Sequence, residues 1–345
     1  MSKDISRTTG TQIRTMEEFS VASGISRPTL SRFFNDPQAV RPSSRARIEE
    51  AMERLNYRPN LFALNFNRKS PKTLGILVPS LTDPFYAGLV QQIETLALDA
   101  GYWTILLSAK GNADHEAQAV STLLSLKLAG AIVVPLGDSS RIPMFRELAA
   151  ALPVVFLSTR IDVEGSYIGS DNDRSVALIL DYLLRSGSAP VFFDMPEVNT
   201  NSRQRRLSYQ RVMEEMGLEA EVISIPTVNW DFEKLAFDRA TELFRQQDMA
   251  GRTILCANDR VAFGVMAAAS ETGLSIGRGE KSVRIAGNDD HPLARYTCPP
   301  LTTVAQDQSR LAELGLKVML DIVNDGLVRN EVHQLDAKLV MRSSA

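Results

Sequence analysis

The sequence predicts an α/β protein in which an N-terminal helix-turn-helix headpiece precedes a two-lobed core of parallel sheets. Three observations carry that prediction. Helix caps and helical spacing crowd into the first 60 residues; apolar strand-like runs then alternate with amphipathic stretches; and charge divides between the two parts. The chain has 345 residues, a net charge of −3 and 44% hydrophobic residues. That is ordinary globular composition at a length beyond one cooperative core. Residues 1–70 hold 12 Lys and Arg against 7 Asp and Glu, whereas residues 71–345 hold 26 against 34. A basic head on an acidic body points to a polyanionic partner for the head alone.

Composition also excludes several classes. Two cysteines, Cys256 and Cys298, cannot build a disulfide scaffold and suit a reducing cytosol. No apolar run approaches the roughly 20 residues that span a bilayer, and the first 19 residues lack the apolar segment of a secretory signal. A cytoplasmic protein without a membrane partner is therefore expected. His115, His291 and His333 are too far apart in sequence for a histidine metal centre. The patterns G-x-S-x-G, C-x-x-C and H-E-x-x-H do not occur. Asp114-His115-Glu116 reads as capping, solvated residues at a helix start. Catalysis, a metal and a cofactor are not expected.

The head reads as helix, turn, helix. Thr15-Met16-Glu17-Glu18 is a capping box that starts a helix through Ser23. Gly24 suits the turn because it tolerates positive φ. Ser26 can cap a second helix, Arg27–Asn35, with Pro28 in its first turn. Leu30, Phe33 and Phe34 share its inner face, leaving Arg27 and Arg32 outward. A third helix, about Ser43 to Asn56, carries Ile48, Ala51, Met52 and Leu55 on one stripe. The second helix of such a unit can enter a major groove, where arginine bonds guanine bidentately.

The run G-I-S-R-P-T-L-S-R-F-F-N, with N-Y-R-P-N after it, resembles the LacI/GalR family of bacterial transcription regulators. The resemblance extends through L-G-I-L-V-P-S-L-T-D-P-F-Y (74–86), A-N-D-R-V-A-F-G (257–264), G-N-D-D (287–290) and P-P-L-T-T-V-A-Q-D (299–307). It implies a DNA-reading head over residues 1–58, a hinge helix and linker over 59–71, and a two-lobed core like periplasmic sugar-binding proteins over 72–345. It places Arg27, Pro28 and Arg32 at base-reading positions. Thr29, Ser31 and Arg41 would meet phosphates, and Thr15, Ser26, Asn35, Tyr57, Asn60 and Ala63 complete the DNA-facing set. Phe66 stands where the family wedges a leucine into the minor groove. There are departures. Pro28 has no side-chain donor, Arg41 cannot accept an amide hydrogen bond as the usual cap does, and Leu64 replaces a polar residue.

The rest of the chain alternates strand and helix. Strands are expected at Lys72–Ser80, Tyr102–Leu107, Ala131–Pro135 and Val154–Leu157, with a helix over 84–100. The pattern resumes at Pro190–Met195, Glu221–Ile225, Thr253–Cys256 and Val283–Gly287. Ligands of open α/β sheets sit at carboxyl ends of strands, so the loops there are the candidate site. They offer Asp83, Phe85, Tyr86, Asn258 and Gln308, and by family position Arg203, Trp230 and Asp289. Ser158 stands where the family often has an acid. Carboxylate, amide and guanidinium groups beside aromatic plates suit a sugar or polyol.

The function expected is a sequence-specific repressor of a sugar or polyol operon, released from a palindromic operator by a small carbohydrate. Tightening by ligand is the less favoured sign. A purine-type effector or an activator role remains open, as does a soluble sugar-binding protein with a vestigial head. Two-fold operator symmetry implies a homodimer, with a tetramer also open.

Overall fold

The computed structural model describes residues 13–60, 64–65, 70–226, 230–326 and 330–345. Chain contacts divide it into two compact units, Met1–Lys72 and Thr73–Ala345.

The first unit is built from α1 (Met16–Ser23), α2 (Arg27–Asn35) and α3 (Pro42–Arg54). The capping box is formed. Glu18 N–H donates to Thr15 Oγ1 at 3.1 Å, and Thr15 N–H donates to Glu18 Oε2 at 3.2 Å. Gly24 ends α1 at φ +68°, where a Cβ would be strained. Ser26 holds the N-cap position of α2 without capping it; its hydroxyl pairs with that of Thr29 at 2.8 Å. Arg41 does no side-chain capping either, and Pro42 opens α3 at its first position, where a missing N–H costs nothing. α3 begins one residue earlier and ends two residues sooner than its apolar stripe predicts. Phe19, Leu30, Phe33, Phe34, Ile48 and Ala51 form the core. Phe19 stacks on Tyr57 at 4.2 Å.

The expected hinge helix, Leu61–Asn67, lies almost wholly outside the described residues, and with it Ala63 and Phe66. Leu64 packs on the head core, and Lys72 N–H donates to Asn65 Oδ1 at 2.9 Å.

The second unit holds two parallel sheets. The first contains β1 (Thr73–Val78), β2 (Trp103–Ser108), β3 (Gly130–Val133), β4 (Val154–Leu157), β5 (Ser166–Ser170) and β11 (Val332–Leu335), in the order β11-β5-β4-β3-β1-β2. Its flanking helices are α4 (Pro84–Asp99), α5 (Ala113–Ser125), α6 (Ile142–Ala151) and α11 (Gln308–Asp325). The second contains β6 (Pro190–Phe193), β7 (Val222–Ile223), β8 (Thr253–Cys256) and β9 (Arg284–Ala286), ordered β7-β6-β8-β9. Around it lie α7 (Asn172–Ser186), α8 (Thr200–Glu215), α9 (Phe232–Gln246) and α10 (Asp259–Glu271). β10 (Thr303–Ala305) and β12 (Lys338–Val340) pair antiparallel.

Strands such as Val154–Leu157 are buried along their whole length, as a sheet covered on both faces requires. Each fully buried Leu, Ile or Phe contributes about 1.5–3 kcal/mol. Because β5, β10 and β11 each end at a change of sheet, the chain passes between lobes three times, near residues 170–172, 305–308 and 335–338.

Candidate functional site

The head presents its second helix as expected. Arg27, Pro28, Arg32, Asn35, Arg41, Asn60, Thr15 and Ser26 are exposed, and Thr29 and Ser31 half-buried. Tyr57 departs from the DNA-facing set. Its ring is buried in the core, and burial raises its phenol pKa. Arg27 Nη1 pairs with Glu17 at 3.0 Å.

In the second unit the strand ends meet around a cavity of about 150 Å³. Asp83, Phe85, Tyr86, Ser158, Trp230, Asn258, Asp289 and Gln308 all line it. Arg203 does not, and this corrects the sequence reading: residue 203 is exposed on α8, and the buried guanidinium is that of Arg205. The buried stripe of α8, Ser202, Arg205, Ser208, Tyr209 and Val212, has a helical phase that passes through 205 and misses 203.

Arg205 is the centre of the cavity wall. It donates to Asn172 Oδ1 at 3.0 Å, to the Ala257 carbonyl at 2.9 Å and to Asp289 Oδ1 at 2.8 Å. Asp289 also accepts from Asn288 Nδ2 at 2.9 Å and from Gln306. Gln306 in turn accepts from the Ser170 hydroxyl at 2.7 Å.

Arg260, which the sequence reading missed, spans the lobes. Its guanidinium forks onto Glu233 at 2.6 Å, reaches Asp83 at 3.1 Å and the Trp230 carbonyl at 3.0 Å, and covers the Phe232 ring at 4.7 Å. Asp83 also caps α4 through Phe85 N–H at 3.0 Å, and Asn258 caps α10 through Val261 N–H at 2.8 Å. Capping and cavity-lining are thus the same job seen from two sides. Trp230 closes the cavity beside Tyr86 and Phe232. It lies so close to Gly111 that a Cβ there would stand 2.2 Å from its ring.

Burial disfavours charge here. Asp259 is fully buried, accepting from Thr303 Oγ1 at 2.6 Å and from His291 N–H at 2.7 Å, and desolvation raises its pKa to about 7. Desolvation also raises Asp83, though Arg260 opposes it. Burial lowers the His291 pKa, though Asp83 and Asp289 oppose it. Asp290 pairs with Arg342 at 2.6 Å. The two arginines that line the cavity, Arg205 and Arg260, both have carboxylate partners.

The Asp114-His115-Glu116 reading needs correction. Asn112 is the cap, donated to by Asp114 N–H and His115 N–H, and Asp114 pairs with Arg141. Glu116 is buried, not solvated; it accepts from Leu136 N–H at 2.7 Å, and desolvation raises its pKa to about 7. Among the described residues, no helix is long and apolar enough to cross a membrane.

A helix-turn-helix head joined to two parallel-sheet lobes around a polar cavity defines a two-module DNA-binding regulator. Residues 15–60 match the lacI family of bacterial regulatory proteins, and residues 176–345 match the periplasmic binding protein-like domain. The chain is therefore similar to lacI-family regulators in its head. It is 26% identical over 337 residues to the ribose operon repressor of Escherichia coli (strain K12), covering 96% of this chain and 99% of the relative. It is 25% identical over 334 residues to the HTH-type transcriptional repressor PurR of Serratia proteamaculans (strain 568), covering 96% of each. In fold it is similar to the lac repressor dimer bound to operator and the anti-inducer ONPF. That likeness has a TM-score of 0.82 at 24% identity, covering 96% of this chain and 98% of the other.

Proposed function

We propose that this protein is a cytoplasmic transcription repressor that binds a palindromic operator as a homodimer and is released by a small neutral sugar or polyol. The carrying observation is the charge balance of the cavity. Arg205 and Arg260 are each tied to carboxylates, so among the described residues that line the cavity no arginine or lysine is left over for an anionic ligand. What remains to the ligand is hydrogen-bonding capacity at Asn258, Ser158 and Asp289, beside the faces of Phe85 and Trp230. Hydroxyls need paired donors and acceptors, and a sugar's C–H face packs on an aromatic ring. About 150 Å³ suits a small ligand, well below the roughly 300–1,000 Å³ of drug-sized pockets.

The residues assigned to the effector are Asp83, Phe85, Tyr86, Ser158, Arg205, Trp230, Asn258, Asp289 and Gln308. Those assigned to DNA are Arg27 and Arg32 for bases, and Thr29, Ser31 and Arg41 for phosphates. Effector binding is taken to change lobe closure and thereby the presentation of paired heads, through differential affinity for two states. The cluster Phe85, Tyr86 and Trp230 favours a second reading, a purine or similar planar metabolite, because such rings stack.

The test combines two measurements on the full chain. Selection from random duplex DNA should return a palindrome, and titration of that complex with sugars, polyols, sugar phosphates and nucleobases should identify what releases it. Release by a neutral polyol supports the first reading, and release by a nucleobase the second. Failure to select any palindrome removes the repressor.

A further inference from the structure

We infer that Glu17 is a positioning residue for guanine recognition by Arg27, so that the pair sets base preference at one operator position. The inference rests on the head being a DNA reader. Arg27 is the first residue of α2, and Glu17 lies in the first turn of α1. Their side chains meet at 3.0 Å, and both are about two-thirds exposed. An ion pair this exposed contributes little to folding, so the fold does not require it.

Its geometry matters at the tip of a recognition helix. Pro28 follows Arg27 and offers no donor, leaving Arg27 the donor among the first two residues of α2. An unrestrained arginine there would sample many rotamers and be drawn to phosphates on either side. The Glu17 carboxylate holds Nη1. The Nε and Nη2 N–H groups then project side by side from the planar guanidinium, the spacing that matches guanine O6 and N7.

The same carboxylate repels phosphates and cancels the charge of Arg27, so the pair adds little to salt-dependent general affinity. Neighbouring Glu18 cannot take this role: its carboxylate accepts the Arg14 N–H at 2.7 Å and the Thr15 N–H at 3.2 Å. The division of labour between the two adjacent acids is therefore structural for Glu18 and recognition for Glu17.

The test uses the full chain as wild type, Glu17→Ala, Arg27→Ala and the double variant. Each is passed through selection on random duplex DNA, then titrated against the best site and its single-base variants at several salt concentrations. Wild type is expected to prefer guanine at one position per half-site, and Arg27→Ala to lose that preference. Glu17→Ala should lower the preference roughly 5- to 20-fold while binding non-cognate DNA more tightly, with a salt slope steeper by about one phosphate contact. In the Arg27→Ala background, Glu17→Ala should leave base preference at that position unchanged.

A Glu17→Ala protein that keeps the wild-type guanine preference overturns the inference. So does a loss of equal size in the Arg27→Ala background, or a guanine preference that survives Arg27→Ala. Wild type that selects no site at all overturns the DNA-reading head, a different failure visible before any variant is compared.

Discussion

Asp259→Asn should make the second unit more stable at alkaline pH and flatten its pH dependence. Desolvation raises the Asp259 pKa from 3.8 to about 7. The sign follows directly. A carboxyl whose folded pKa is raised holds its proton more firmly in the native state, so its stabilising contribution is complete below about pH 4 and is lost as pH rises towards 7. The full loss corresponds to roughly 4 kcal/mol at most, and close to 3 kcal/mol of it accrues between pH 5 and pH 8. Asparagine keeps the shape: its oxygen can accept the His291 N–H and its amide can face Thr303 Oγ1, which becomes the acceptor. Below pH 7 the protonated carboxyl and the amide both make neutral hydrogen bonds, so the exchange itself costs about 1 kcal/mol in all. Wild type and variant should therefore be close near pH 5 and diverge by pH 8, the variant melting higher by several degrees. Thermal unfolding from pH 5 to 9 on both proteins reads the difference. Parallel pH profiles would show that Asp259 does not titrate in this range and would refute the reasoning.

Three further outcomes are expected. Asp83→Asn removes the charge facing Arg260 across the cleft, yet leaves Arg260 its fork on Glu233. The cost should be about 1–2 kcal/mol, or roughly 5- to 30-fold in effector affinity by calorimetry, with little change in melting. Arg205→Met strips partners from Asn172, Ala257 and Asp289 at once and should lower stability by about 3–5 kcal/mol, measured by urea unfolding; a loss under 1 kcal/mol would contradict the buried geometry. Arg32→Ala should relax base preference at one position per half-site by roughly 1–3 kcal/mol in operator titrations, and unchanged specificity would mean that α2 is oriented differently.

Much of this was legible in the sequence because local signals and long-range packing agree. The capping box at Thr15, the αL turn at Gly24 and the apolar stripe of α2 each follow from chemistry within a few residues. Val154–Leu157 and Thr253–Cys256 stand as read, since a strand buried on both faces is continuously apolar. Ser166–Ser170, Thr303–Ala305 and Val332–Leu335 were not read as strands. They carry Ser, Thr, Gly, His and Gln, and their pairing depends on partners far along the chain. The cavity shows the same limit. Asp83 and Asn258 announce themselves as helix caps after strands, but Arg260 looks like a surface residue until Glu233, Trp230 and Asp83 converge on it. Nothing near residue 260 in sequence specifies those partners. Arg205 was recoverable, because its phase on α8 separates it from Arg203.

One of the passages between lobes, residues 305–308, gives Ala305, Gln306 and Gln308 to the cavity wall, and this would link binding to lobe geometry. Ser158, Asp289 and Asp290 have φ values of +60°, +125° and +50°, left-handed conformations that cost a non-glycine residue about 1–3 kcal/mol each. Such strain persists only where neighbours hold it. The Ser158 carbonyl accepts from Tyr167 Oη in its own lobe at 3.1 Å and from Asn201 Nδ2 of the other lobe at 3.2 Å. Asp289 is held by Arg205 within its lobe and by Gln306, which also ties Ser170 at the end of the first sheet. Ser158 and Asp289 are thus braced by bonds that meet where the lobes join. A ligand hydroxyl that engages Ser158 or Asp289 would compete with those braces or reinforce them, and its differential affinity for the two arrangements is the free energy available to move the lobes. On the proposed function, binding and switching would draw on the same few hydrogen bonds.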